Sequence, residues 1–110
     1  MATVLMASVI SDPKPQQGQK HRSSGDFSTD SMPDGTVAWK WVVTNHPNPD
    51  AIRFDVKHDI SGGIDTTWFK DLYNEEQTTN NLKKERTLYI ADPSGAGDDN
   101  FTVEVYAVTA

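Results

Sequence analysis

The sequence predicts an all-β fold, an antiparallel β-sandwich or a partly open barrel of about six to eight strands. Two observations predict this class. The strongly periodic segments alternate apolar and polar residues with the period of two that a half-buried strand requires. In addition, no long amphipathic helix separates these segments, so the helical crossovers that a parallel α/β fold needs are missing.

Alternation identifies the individual strands. In residues 51–57 the side chains of Ile52, Phe54 and Val56 are predicted to face a core, whereas residues 74–85 are polar and are expected to form at most a short helical turn. The predicted strands, in chain order, cover residues 3–10, 36–44, 51–57, 66–73, 87–91 and 101–109, with one irregular turn as the alternative for residues 66–73. The predicted core comprises Val37, Trp39, Trp41, Ile52, Phe54, Val56, Leu88, Ile90, Val103 and Val105.

The 110 residues are predicted to form one domain, residues 1–110, because single domains run to roughly 100–200 residues. The absence of cysteine excludes disulfide bonds and Cys-ligated metal. Residues 12–34 are expected to form a long mobile loop near the N-terminus. That stretch is rich in Pro and Gly, and Phe27 and Met32 are its only large apolar residues.

Charge and hydropathy limit the partners. The 16 acidic and 10 basic residues give a net charge of −6, which argues against nucleic acid and against an anionic membrane surface. The apolar run over residues 4–10 is far shorter than the roughly 20 residues of a membrane span. No basic leader precedes it, so the expected location is cytoplasmic, virion-associated, or secreted without a visible leader.

Catalysis is not expected. The sequence contains no nucleophile elbow, no zinc-protease motif and no glycine-rich phosphate loop. His58 and Asp59 are neighbours, but adjacent residues of a strand point to opposite faces of the sheet. We therefore predict that the protein is not an enzyme.

Residues 92–100 have the most specific spacing in the chain. Asp92, Asp98, Asp99 and Asn100 supply side-chain oxygens, and the two glycines of the loop allow it to bend so that these oxygens converge. Calcium binds roughly six to eight such oxygens from carboxylates, amides and backbone carbonyls. The pattern favours a calcium site, with a solvated acidic hairpin loop as the alternative.

The same loop resembles the metal loop of the calcium-dependent galactose-binding bacterial lectins, which are small β-sandwich proteins. Asp92, Ala96, Asp99 and Asn100 have the spacing of that loop, and the final strand follows directly. The resemblance implies that Asp92, Asp99 and Asn100 are side-chain calcium ligands, that Ala96 contributes its carbonyl, and that sugar hydroxyls complete the sphere. The chain departs from the family in having Asp-Asn where the family has Asn-Asn, and in lacking the short Ser/Gly spacer.

Three further residues, in two separate segments, are predicted to contact a sugar. The turn over residues 45–50 is similar to a His-Pro-Asp sugar-contact turn of those lectins, which implies roles for His46 and Asp50. Trp68 is predicted to lie on the surface beside charged residues, where its ring could stack on a sugar, whereas Trp39 and Trp41 are assigned to the core.

Two functions follow from these observations. The first is a non-enzymatic binding module with calcium-dependent carbohydrate binding. The alternative is a structural or assembly subunit, of the virion, tail or surface-layer type, without a small-molecule ligand. In that case the partner is a protein surface, and subunits of a homo-oligomer exchange the 12–34 segment or pair edge strands.

Overall fold

The structure is a computed structural model, and it describes residues 1–14 and 23–110. Eight strands and one short 3₁₀ turn, over Pro49–Ala51, account for the regular structure of these residues. The strands are β1 (Ala2–Ser11), β2 (Phe27–Ser28), β3 (Thr36–Thr44), β4 (Arg53–His58), β5 (Thr66–Leu72), β6 (Glu76–Thr78), β7 (Thr87–Ser94) and β8 (Phe101–Thr109).

The strands form two four-stranded antiparallel sheets that pack face to face, which confirms the predicted sandwich. The first sheet has the order β1-β8-β3-β6 and the second the order β2-β7-β4-β5. Every connection between consecutive strands except β4–β5 therefore crosses from one sheet to the other, and β1, β6, β2 and β5 are the four edge strands. Each sheet buries one face, as the period-two patterning requires.

Aromatic side chains from both sheets meet in the core. The ring of Trp41, from the first sheet, lies 5.3 Å from the ring of Phe69 and 6.5 Å from that of Phe54, both from the second sheet. Phe54 also packs against Phe101 at 6.4 Å. Nine of the ten predicted core residues are buried, and Val37 is the exception with 44% exposure. The reason is a β-bulge between Thr36 and Ala38, which removes Val37 from the regular alternation.

The mobile loop predicted over residues 12–34 is not confirmed. Residues 15–22 lie outside the described residues, but the rest of that range is anchored. Phe27 is buried against the core, and β2 pairs with β7 through Phe27 and Leu88. The hydroxyls of Ser23 and Ser24 bond to the backbone carbonyl and amide of Ile90, at 2.9 and 2.8 Å. One buried aromatic ring and these serine hydroxyls are enough to fix a segment that is otherwise polar.

Candidate functional site

The predicted metal loop begins inside a strand. Asp92 and the next two residues continue β7, so the turn proper begins at Gly95. The Asp92 carboxylate lies 3.5 Å from the ammonium nitrogen of Lys57, on the adjacent strand β4. Its charge is therefore balanced by a side chain of the same sheet.

Ala96 lies at the buried base of the loop, and its carbonyl is already engaged. The carbonyl oxygen accepts a hydrogen bond of 2.9 Å from Nε2 of His46. The backbone N–H of Asn48 donates to Nδ1 of the same ring at 2.9 Å, which places the ring proton on Nε2. The structure thus brings together His46 and Ala96, which the sequence assigned to separate elements. The hydrogen bond between them links the 45–50 turn to the 92–100 loop.

The remaining predicted ligands lie on the exposed side of this loop. Asp98, Asp99 and Asn100 are all exposed, and the Asp99 N–H donates to the Ala96 oxygen at 3.3 Å. Within residues 1–14 and 23–110, no three His, Asp or Glu side chains are grouped so as to hold a metal ion. A calcium site here would have to draw on the Asn100 amide and on the Ala96 carbonyl, which already accepts two hydrogen bonds.

The predicted sugar contacts lie at two different places. Asp50 is near the loop and accepts a hydrogen bond of 2.9 Å from the Asn74 side chain. Trp68 is on edge strand β5, half-buried, with its ring 5.5 Å from the ring of His58. The β4 register pairs Arg53 with Ser94, beside the loop, and His58 with Leu88 at the opposite end. Trp68 therefore lies toward the far end of the second sheet from Asp50 and the loop.

A different surface stands out on the first sheet, along strand β1. Its residues from Ala2 to Leu5 are exposed on both faces, and Val4, Leu5 and Ile10 are 41%, 52% and 65% exposed. On one side β1 pairs with β8 along its whole length. On the other side, the pairing among the described residues is confined to the end of the strand, at the Ser11–Ser24 bridge. We call the unpaired side of Ala2–Ile10 the β1 edge.

Sequence reasoning identified β1 as a strand but missed this edge. The signal that could have found it is the absence of charged side chains from residues 1–11. The first charged side chain of the chain is that of Asp12, although about a quarter of all residues are charged. Soluble proteins usually protect a long edge strand with Lys, Pro, an inward charge or a bulge. β1 has one such protection, a bulge between Leu5 and Ala7, and no charge.

The other three sheet edges are protected. β2 has two residues and β6 has three, so neither offers a long template. β5 carries Lys70 and Asp71, and its pairing with β4 is interrupted twice. The Asp71 N–H donates to the Asp55 carboxylate at 2.9 Å, which fixes one of these irregularities. Of the four edges in the described part of the chain, β1 alone is both long and uncharged.

The outer face of the first sheet adjoins the β1 edge. The register places Leu5, Tyr106 and Lys40 in one row across three strands. A depression of about 250 Å³ beside this row is lined by Thr3, Lys40, Val42 and Tyr106. Partial desolvation, with the neighbouring Glu104 carboxylate, raises the pKa of the Tyr106 hydroxyl above its ordinary value. This volume is close to the lower limit of the roughly 300–1,000 Å³ of most ligand pockets.

Comparison with protein-family models, with curated proteins and with solved structures finds no match to this chain. A search of residues 1–14 and 23–110 for membrane spans finds no helix that is long and apolar enough to cross a bilayer.

Proposed function

We propose that this chain is a non-enzymatic structural subunit that assembles with protein through its β1 edge. The observation that carries the proposal is the uncharged strand β1, which β8 orders on one side and which, among the described residues, is unpaired on the other side from Ala2 to Ile10. An exposed strand edge presents a row of backbone donors and acceptors, and an added strand satisfies them while covering the neighbouring apolar side chains. Leu5 and Ile10 are the side chains that such a strand would cover on the outer face.

Two engaged histidines are consistent with a non-catalytic role. The His46 ring is hydrogen-bonded to two backbone groups, the Ala96 carbonyl and the Asn48 N–H, and the His58 ring packs against Trp68. Neither ring is directed toward a nucleophile or a carboxylate in these contacts. A binding surface without a chemical step is therefore the simpler proposal for this sandwich.

Sedimentation velocity over a wide range of protein concentration tests the proposal. We expect the wild-type protein to form species larger than the monomer, and Leu5→Lys to remain monomeric, because a lysine on an edge strand opposes the pairing of another strand with it. Leu5 is half exposed, so the variant should fold normally, with an unfolding free energy within about 0.5 kcal/mol of wild type.

Ile64→Lys is the matched control. Ile64 is 90% exposed and lies in the turn before β5, so the same change of charge there should leave association intact. A wild-type protein that is monomeric at every concentration would contradict the assembly function.

The alternative function is calcium-dependent carbohydrate binding at residues 92–100, which the spacing of the oxygens in that loop favours. We expect calcium to leave the melting temperature of the wild-type protein unchanged. The Asp92 carboxylate is already paired with Lys57, and the Ala96 carbonyl already accepts a hydrogen bond from His46. Thermal melting with and without millimolar calcium measures this. A rise in melting temperature that Asp99→Asn removes and Asp71→Asn preserves would instead support the calcium site. Asn is a suitable control at position 71 because it tolerates the left-handed φ of 55°.

A further inference from the structure

We infer that the strand added at the β1 edge is β1 of a second copy of this chain, paired antiparallel about a two-fold axis near Met6. The inference rests on the proposed assembly function and names its partner. A two-fold axis brings the same surface of both subunits together, so the contact must be compatible with itself. A strand paired antiparallel with its own copy satisfies this requirement and joins the two first sheets into one sheet of eight strands.

Charge favours a second copy over an unrelated partner. The chain has a net charge of −6, so most surfaces of two copies repel each other. β1 carries no charged residue from Ala2 to Ser11, and two copies of it meet without opposing like charges. An edge adapted to a basic partner would be expected to present the acidic residues that are plentiful elsewhere in this chain.

The other edges limit where a second copy can bind. β2 and β6 are too short to pair along β1, and the interrupted β5 edge presents Lys70 and Asp71. Pairing of β1 with β5 of the next copy would also be head-to-tail, and would continue into a ring or an open filament of more than two copies. Pairing of β1 with itself uses the long edge of both copies, and association therefore stops at the dimer.

The free length of the edge sets the register. The edge runs from Ala2 to Ile10, because Ser11 is already bridged to Ser24. The pairing that uses all of it has its axis at the midpoint, Met6, which lies at the bulge between Leu5 and Ala7. Each residue of the strand is then separated from its own copy by twice its distance from Met6. At about 3.4 Å per residue, this gives about 14 Å for Ser8, 20 Å for Thr3 and 27 Å for Ile10.

The absence of cysteine makes this register measurable. Thr3, Ser8 and Ile10 are exposed and lie on the outer face of the first sheet by register, so each can be replaced singly by cysteine and spin-labelled. Pulsed dipolar spectroscopy of the three labelled proteins should give one distance each, in the order Ser8, Thr3, Ile10 from shortest to longest. Sedimentation equilibrium should show a dimer and no larger species.

The outcomes separate this inference from the assembly function. Association that continues beyond two copies, or label distances that do not increase away from Met6, would overturn β1 self-pairing while leaving assembly in place. Association that Leu5→Lys does not weaken would likewise assign the contact to another surface. Dimers that show the predicted order of distances, and that Leu5→Lys dissociates, would establish the two-fold β1 contact.

Discussion

Replacing Phe54 with alanine is expected to lower the free energy of unfolding by about 3–5 kcal/mol, the range for a fully buried phenylalanine. Phe54 has no exposed surface and lies between Trp41 and Phe101, so its removal opens a cavity where the two sheets meet. Domains of this size are stable by roughly 5–15 kcal/mol, and the loss is therefore a large fraction of the total. Urea unfolding followed by tryptophan fluorescence measures it, since Trp41 reports on the same contact.

Two comparisons make the Phe54 result specific. Phe54→Leu leaves a smaller cavity and should be clearly milder than Phe54→Ala. Ile64→Ala removes an apolar side chain that is 90% exposed, and should change stability by less than about 0.5 kcal/mol. A cost of Phe54→Ala below about 1 kcal/mol would mean that β4 presents its other face to the core.

The strands that the sequence predicted best are those whose side chains alternate between core and solvent. β3 and β8 have the predicted bounds, because alternate apolar residues along them share one buried face. The alternation of apolar and polar residues involves only neighbours within the same strand, so these strands can be predicted from the sequence alone. The bulge at Val37 interrupts that rule, and it was not predictable because it depends on the register against Thr109 and Val108.

The short strands β2 and β6 were missed because tertiary contacts hold them. β6 is the polar tripeptide Glu76–Thr78, which was expected to lie in a region with at most a helical turn. It pairs with β3, and the indole N–H of Trp41 donates to the Thr78 hydroxyl at 3.0 Å. The partner in such a contact lies more than thirty residues away in sequence, and local propensity carries no information about it.

The end of β7 shows how topology overrides a turn signal. The predicted strand ended at residue 91, before Pro93 and Gly95, yet β7 continues to Ser94. β2 pairs with β7 only at Thr87 and Leu88, so the side of β7 that faces β2 is not paired with that strand where Pro93 lies. Proline is tolerated in a strand where no ladder hydrogen bond is required of it.

The candidate sites were predictable to different degrees. The spacing of its oxygens pointed to the 92–100 loop, and similarity to a sugar-contact turn pointed to residues 45–50. The structure joins the two segments through His46 and Ala96. The ion pair between Asp92 and Lys57 could not be anticipated, because it depends on β4 and β7 being neighbours. The β1 edge is a property of strand order in the whole sheet, and its only local sign is the missing charge of residues 1–11.

Gly95→Ala is expected to be costly for a position on the surface, because the 92–100 loop is packed onto the 3₁₀ turn at Pro49–Ala51. Gly95 has a φ of +80°, which favours glycine, and a Cβ there would overlap the carbonyl of Ala51, with the carbonyl carbon only 2.9 Å away. The obstacle is backbone and cannot rotate aside. The left-handed conformation costs roughly 1–2 kcal/mol and overpacking roughly 1–3 kcal/mol, so we expect a total loss of about 2–5 kcal/mol in urea unfolding.

Two glycines of the same chain separate these contributions. Gly97 has a φ of +63°, and a Cβ added there would meet open space, so Gly97→Ala should cost only the conformational part, roughly 1–2 kcal/mol. Gly25 has open space and no left-handed φ, and Gly25→Ala should be neutral or slightly stabilising. If Gly95→Ala costs no more than Gly97→Ala, the loop is not held against the 3₁₀ turn. In that case the Ala96 carbonyl is not fixed on His46, and it becomes available to the calcium site that the spacing of residues 92–100 predicts.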